Sequence, residues 1–288
     1  MTQRSEPLPS FLAEPSRIGP EISVTGKWIP ATPGRLFRKS ASSQEMLAEW
    51  EDIHAGARGD AGVLSTEINH AVGEDAVLVH HVFKDADALV HYLSTTAAEH
   101  MGALAAVARP ELHLIRGMEV PHDVREAVSA KNVPAAFGEF LFGYVKEDYE
   151  RPDQETAIMV TAKWTCTPGG THLDDLRYWW QRVGTDAYSI EKGLLRFEAY
   201  QVIGEDALII HETFENSDEL KFHLSKGTAH TYKKDIDAVA APEAYFFRGP
   251  VSWTIRTYSK FMHLPATYSS RGSSFTRPGG SMSDGTIE

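Results

Sequence analysis

The 288-residue sequence predicts an α+β fold in which one strand–helix–strand–strand–helix–strand unit occurs twice. Three observations predict it. Residues 64–93 (LSTEINHAVGEDAVLVHHVFKDADALVHYL) align on residues 195–224 (LRFEAYQVIGEDALIIHETFENSDELKFHL) without a gap, at an offset of 131. Within each copy, short runs alternate with a period of two, and longer runs repeat apolar residues at helical spacing. The chain is 42% hydrophobic and 24% charged, enough to bury a substantial core.

The elements follow in order. Residues 1–20 carry Pro7, Pro9, Pro15 and Pro20 and read as an N-terminal tail. The first repeat spans 21–121, with strands near 21–29, 63–72, 76–83 and 111–117 and helices near 42–56 and 85–107. Residues 122–155 form a linker, in which Phe137 to Val145 alternates enough for an extra strand. The second repeat spans 156–268. Its first strand lies near 157–166 and closes on Thr-Pro-Gly-Gly. A helix near 171–184 follows, with Leu173, Leu176, Trp180 and Val183 on one face. Strands near 194–203 and 207–214 are joined by Gly-Glu-Asp, and Asn216 or Ser217 caps the next helix. A last strand lies near 243–249, and residues 269–288, rich in Ser and Gly, form a C-terminal tail. Either tail is disordered or is an arm that wraps a partner subunit.

This βαββαβ order is the ferredoxin-like pattern, with two helices on one face of a four-stranded antiparallel sheet. The other face needs cover. Two copies on one chain can supply it to each other, as an intrachain version of a dimeric-type α+β barrel.

Alternation sorts the strand residues by face. Val77, Val79, His81 and Phe83 share one side with Leu208, Ile210, Glu212 and Phe214 of the second copy. His80 and His211 lie on the other. If Val72 pairs with Asp75 across the turn, Glu67 stands opposite His80 and Glu198 opposite His211. That register puts Leu64, Ile68, Leu195 and Phe197 with the Phe side, which is the more apolar and belongs under the helices. The Glu–His side then lines the barrel interior, with Lys27 and Lys163 on the neighbouring first strands.

A Glu–His pair makes His80 and His211 candidate general bases and Glu67 and Glu198 their orienters. Lys27 and Lys163 are candidate oxyanion stabilisers in the substrate site. Arg116 and Arg248, each beside a Gly at a strand end, are candidates for an acidic substrate group. Each has a plainer reading: a satisfied structural histidine, a lysine reaching solvent, a surface salt bridge. His223 and His230 sit on a helix and read as exposed or core residues.

The formal net charge is -12, with no basic run, which argues against nucleic acid or an anionic membrane as partner. The single cysteine, Cys166, excludes an internal disulfide and a Cys-based zinc site. The thirteen histidines show no metal spacing. Without an apolar signal-peptide core or a membrane span, the expectation is cytoplasmic.

Ala207 to Leu224 resembles the antibiotic biosynthesis monooxygenase family of the dimeric α+β barrel superfamily. The shared signature is a Glu, an aromatic two residues on, an acidic turn and His-Leu in the following helix: Glu212, Phe214, Asp218 and His223-Leu224. The first copy departs, with His81 and Tyr92, and Phe83 and Phe214 stand where many members have Trp. The resemblance implies a pocket for a flat, often aromatic substrate. Some members oxidise phenols with molecular oxygen and no cofactor, others cyclise polyketides, and a heme-degrading branch places Asn in the first strand and a ligating His in the second helix. Lys163 and Lys233 take those positions here, which argues against heme. The expected activity is therefore a cofactor-independent monooxygenase acting on a phenolic or polyketide-like molecule. The alternatives are a non-oxidative cyclase, lyase or isomerase, or a binding protein for heme or another hydrophobic ligand. A homo-oligomer formed through the tails is also expected.

Overall fold

A computed structural model describes residues 9–13, 19–31, 43–146, 156–169, 173–261, 263–269 and 273–276. Most of both expected tails and part of the expected linker lie outside these residues. The chain divides into two units, one of residues 18–139 with 269–288, the other of residues 140–268 with 1–17.

In the unit of the first repeat, β1 (Ile22–Pro30), β2 (Val63–His70), β3 (Val77–Phe83) and β4 (Ala108–Gly117) form an antiparallel sheet in the order β4-β1-β3-β2. Helix α2 (Ser43–Gly59) follows β1, and α3 (Ala86–Ser94) and α4 (Thr96–Val107) follow β3. The single second helix expected from sequence is thus two, parted at Thr95, whose ψ of -88° leaves the helical region. Asp85 caps α3 by accepting from the Ala88 N–H. After β4, α5 (His122–Ser129) and the start of β5 (Ala135–Val145) occupy the expected linker, and residues 135–139 pair parallel with β4.

The other unit repeats the plan. It holds β6 (Ile158–Cys166), α6 (Leu173–Ile190), β7 (Leu194–Val202), β8 (Ala207–Phe214), α7 (Ser217–Ser225), α8 (Thr228–Val239) and β9 (Ala240–Arg248), with sheet order β9-β6-β8-β7. Asn216 caps α7, accepting from the Asp218 and Glu219 N–H groups. Helix α9 (Trp253–Phe261) leads to a short β10 (Ala266–Tyr268) parallel to β9. Each repeat is therefore ferredoxin-like, and the fold class is α+β.

The hairpin register is the one the turn dictates. Gly73 and Gly204 sit at φ of 84° and 77°, a left-handed conformation that glycine adopts without strain. Glu67 pairs with His80, and Glu198 with His211. One detail differs from the sequence reading. A bulge between Val63 and Ser65, and another between Leu194 and Arg196, shifts the strand start by a residue. Val63 and Leu194, both fully buried, therefore stand opposite Phe83 and Phe214, and Leu64 and Leu195 do not.

The described tail pieces pack on the chain itself. In α1 (Ser10–Ala13), Phe11 stacks on Tyr188 with ring centres 4.2 Å apart. In the other unit, β11 (Ser273–Thr276) pairs antiparallel with β2 and covers that sheet edge. Among the described residues no helix is long and apolar enough to cross a membrane.

Candidate functional site

The Glu–His side of each sheet is a cross-strand row. In the first repeat it runs Glu67, His80, Thr25 across β2, β3 and β1. His80 is fully buried, and its Nδ1 lies 2.9 Å from Thr25 Oγ1. In the second repeat the row is Glu198, His211, Thr161, with His211 Nδ1 3.0 Å from Thr161 Oγ1. Glu198, also fully buried, accepts from Arg196 Nε and Tyr200 Oη, each at 2.6 Å. The carboxylate is held by its own strand at residues two before and two after, as alternation demands.

The lysines do not stand in these rows. Lys27 and Lys163 sit two residues beyond the threonines and reach the hairpin turns. Lys27 Nζ meets Glu74 at 2.6 Å and Glu111 at 3.1 Å, and Lys163 Nζ meets Glu205 at 2.6 Å and Glu243 at 2.9 Å. Burial opposes the charge on each lysine, but the paired carboxylates outweigh it and raise both pKa values. Arg116 and Arg248 are 4% and 1% exposed, so neither is a surface salt-bridge residue. One Arg248 guanidinium nitrogen lies 3.1 Å from Met159 Sδ.

The cavities lie on the other side, between helices and sheet. In the second repeat a cavity of about 30 Å³ is lined by Glu212, His223, Trp164, Trp180, Tyr245 and Lys233, with aliphatic side chains between them. His223 comes from α7 and is 1% exposed; Glu212 comes from β8 and is 5% exposed. The two residues singled out by the family signature thus meet here, and His223 is a buried histidine satisfied by a neighbour. His223 Nδ1 donates to Glu191 Oε2 at 2.7 Å, and its Nε2 lies 3.3 Å from Glu212 Oε1. Glu191, 2% exposed just after α6, also accepts from the Thr228 N–H and Oγ1–H at 2.6 and 2.7 Å, at the start of α8. Gly227 makes the close approach possible: a Cβ there would lie 2.6 Å from Glu191 Oε1.

This environment drives the two carboxyls apart. Burial raises the Glu191 pKa, but the His223 charge and the donors of Thr228 outweigh it and hold Glu191 at about 2. Burial raises Glu212, and Glu191 adds to the rise against the pull of His223. Burial lowers His223, yet Glu212 and Glu191 together lift it to about 8. One carboxylate stays ionised, one is easily protonated, and an imidazolium stands between them. Such a split marks acid–base sites. Glu212 Oε1 has no hydrogen-bond partner among the described residues.

Sequence reasoning missed Glu191. Its only trace is the repeat itself, since Asp60 falls on the same position of the first copy by the offset of 131.

In the first repeat the equivalent cavity is about 60 Å³, lined by Trp28, Trp50, His81, Tyr92, His113 and Lys131 among aliphatic residues. His81 and Tyr92 take the places of Glu212 and His223. Burial pushes His81 and His113 down to about 3, so both imidazoles are neutral at ordinary pH. His80 and His211 line neither cavity.

Among the described residues no cluster of three or more His, Cys, Asp or Glu could hold a metal ion. The second-repeat cavity does not suit heme ligation: both His223 nitrogens face carboxylates, and Lys233, at the position of the heme-ligating His, pairs with Asp237.

No family model and no curated protein matches the sequence. Solved structures do match. A candidate monooxygenase from Fusobacterium nucleatum aligns with a TM-score of 0.50 at 11% identity, over 78% of this chain and 90% of that one. An anthrone oxidase-like protein aligns at 0.49 and 10% identity, over 80% and 90% of the two chains. SnoaB, a cofactor-independent oxygenase from Streptomyces nogalater, aligns at 0.28 and 17% identity, over 34% of this chain and 91% of its own. At these identities the likeness is one of fold.

Proposed function

Because the chain has the antibiotic biosynthesis monooxygenase-like fold of the dimeric α+β barrel superfamily, carried as a tandem repeat, we propose that it is a cofactor-independent oxygenase. Its substrate is a flat phenolic or polyketide-like molecule, and its reaction site is the cavity of the second repeat. The observation that carries this reading is the buried Glu191–His223–Glu212 array under an aromatic wall.

Glu212 is the general base. Its raised pKa narrows the gap to a phenol and so improves proton transfer. His223, held as an imidazolium by Glu191, stabilises the aryloxide that forms. The aryloxide gives one electron to molecular oxygen, and the aryloxyl radical and superoxide combine in a C–O bond at a ring carbon. The peroxide takes the proton back from Glu212 and then loses water across the former C–H. One oxygen atom enters the product as a quinone carbonyl, and the other leaves as water. At about 30 Å³ the cavity holds no aromatic ring as it stands. Substrate is admitted by displacement of Leu220 and Leu224 on α7, next to the helix break at Lys226–Gly227.

His80 and His211 serve the fold in this scheme, through their threonine partners. The test is oxygen uptake by metal-free protein with 1-naphthol and anthrone, corrected for autoxidation. Uptake that falls by about 10²–10⁴ in Glu212→Gln supports the scheme. Uptake no faster than the blank, or uptake unchanged from the parent chain in both Glu212→Gln and His223→Gln, sinks it. Turnover without oxygen would instead assign the same acid–base array to an isomerase or cyclase step.

A further inference from the structure

We propose that copies of this chain associate head to tail, an apolar patch on the second repeat of one copy seating in a groove on the first repeat of the next. The patch holds the three large hydrophobic side chains exposed among the described residues: Ile190 at 59%, Phe222 at 39% and Trp253 at 73%. They stand at one end of the sheet, where β6 and β7 begin and β8 and β9 finish: Phe214 pairs with both Ile158 and Leu194, and Met159 with Arg248. Ile190 ends α6, Phe222 lies in the second turn of α7, and Trp253 starts α9, which packs on α7. Exposed apolar side chains are ordinary one by one, but three at one end of a unit mark an interaction surface.

The groove lies at the matching end of the first repeat and encloses about 710 Å³ of open space. Small residues line it: Gly56 and Gly59 of α2, Ala61 and Gly62 just after it, and Ala88 of α3. By the offset of 131, Gly59 falls on Ile190 and His91, also in the lining, on Phe222. A surface that is convex in the second repeat is therefore concave in the first. Two of the glycines answer to the chain's own packing. A Cβ at Gly56 would lie 2.9 Å from Thr96 Cγ2, and one at Gly62 would lie 2.5 Å from Ala88 Cβ. Gly59 differs: a Cβ there would meet nothing within 4 Å, and its φ is not left-handed. Neither packing nor backbone strain calls for glycine at that helix end, where it disfavours the helix. Bare backbone there serves an approach from outside. Charge favours the same pairing. Asp60, Asp85 and Asp87 against Lys84 leave the groove acidic. Lys192 stands two residues on from Ile190, and Lys221 and Lys226 stand beside Phe222 and one turn on, all three exposed. Glu215, Asp218 and Glu219 lie toward the start of α7, so the basic side of the patch is the one that meets the aspartates. The knobs are exposed and the groove is open, so the occupant is a second copy. Two different surfaces in contact make a heterologous interface, which propagates instead of stopping at a pair.

The experiment is sedimentation of the full chain over about a hundredfold range of concentration, for the parent, Gly59→Arg and Ile190→Asp. Arginine fills the groove from a position where a side chain meets nothing, and its charge suits the C-terminal end of a helix, so this variant keeps the fold. The parent should grow past a dimer as concentration rises. Each variant alone should associate at least tenfold more weakly. Mixed, the two should form a one-to-one pair and nothing larger, because the intact patch of Gly59→Arg still fits the intact groove of Ile190→Asp. Trp253→Ser, far along the chain from Glu191, serves as the patch variant if Ile190→Asp does not fold. A parent that is monomeric at every concentration overturns the proposal and leaves the patch to a different protein. Gly59→Arg associating like the parent also overturns it, since patch would then meet patch, and so does a mixture that stays monomeric. The readout is mass, so either result leaves the proposed reaction standing.

Discussion

Replacing Glu191 by glutamine removes one of the two charges that hold His223 and leaves an acceptor for Thr228. The magnitude can be worked from the two partners. His223 moves from 6.5 to about 8, equivalent to about 2 kcal/mol, and Glu191 from 4.5 to about 2, equivalent to about 3 kcal/mol. Both figures contain the Glu191–His223 interaction, but the His223 shift also contains the pull of Glu212, the larger of the two carboxylates' coulombic pulls, and the Glu191 shift also contains the Thr228 donors, so they are not summed. The expected loss is about 2–3 kcal/mol, near the range for breaking a buried ion pair. The sign depends on pH. The folded pKa of His223 is raised, so its contribution is complete below 6.5 and is lost as pH rises through 8. The folded pKa of Glu191 is depressed, so its contribution is complete above 4.5 and is lost as pH falls through 2. The full effect therefore falls between pH 4.5 and 6.5. Urea unfolding of Glu191→Gln and the parent chain, at pH 5.5 and at pH 9.5, measures it. The difference should shrink to below about 1 kcal/mol at the higher pH. A difference that stays constant, or grows, would refute the array as an ion pair and with it the assignment of His223 as an imidazolium.

Glu212→Gln should fold at least as stably as the parent at pH 8, since the raised pKa means that the ionised carboxyl costs stability there; thermal melts check this beside the oxygen-uptake assay. Gly143→Ala should destabilise the chain by about 1–3 kcal/mol, because its Cβ would lie 2.4 Å from the Phe197 carbonyl oxygen and 2.8 Å from Glu198 Cα, both backbone; urea midpoints would show it. Truncation after Ser269 removes β11, and hydrogen exchange should then speed up at the β2 amides that face it, with β7 unaffected.

The sequence was most legible where local rules decide. The Gly-Glu-Asp turn set the hairpin register, so Glu67 and Glu198 stand opposite His80 and His211 as alternation requires. Asn216 caps its helix as its position suggested. The strand bulges that exchange Leu64 for Val63 left no local signal, because both residues are apolar and either suits a buried position. The helix break at Thr95 was equally silent, in an alanine-rich stretch with good helix propensity on both sides.

By itself, the sequence determined the duplication, the α+β class, the two faces of each sheet and the mismatch of His81 with Glu212 and Tyr92 with His223. Those follow from spacing and composition, which are properties of neighbours along the chain. Only the tertiary structure decided which face carries the cavities and the buried Glu191–His223–Glu212 array. Glu191, Glu212 and His223 come from a loop, a strand and a helix, and they matter together because burial makes their mutual charges strong. The same folding turned Lys27 and Lys163 away to the hairpin glutamates, a choice set by which carboxylates lie within reach of a long side chain.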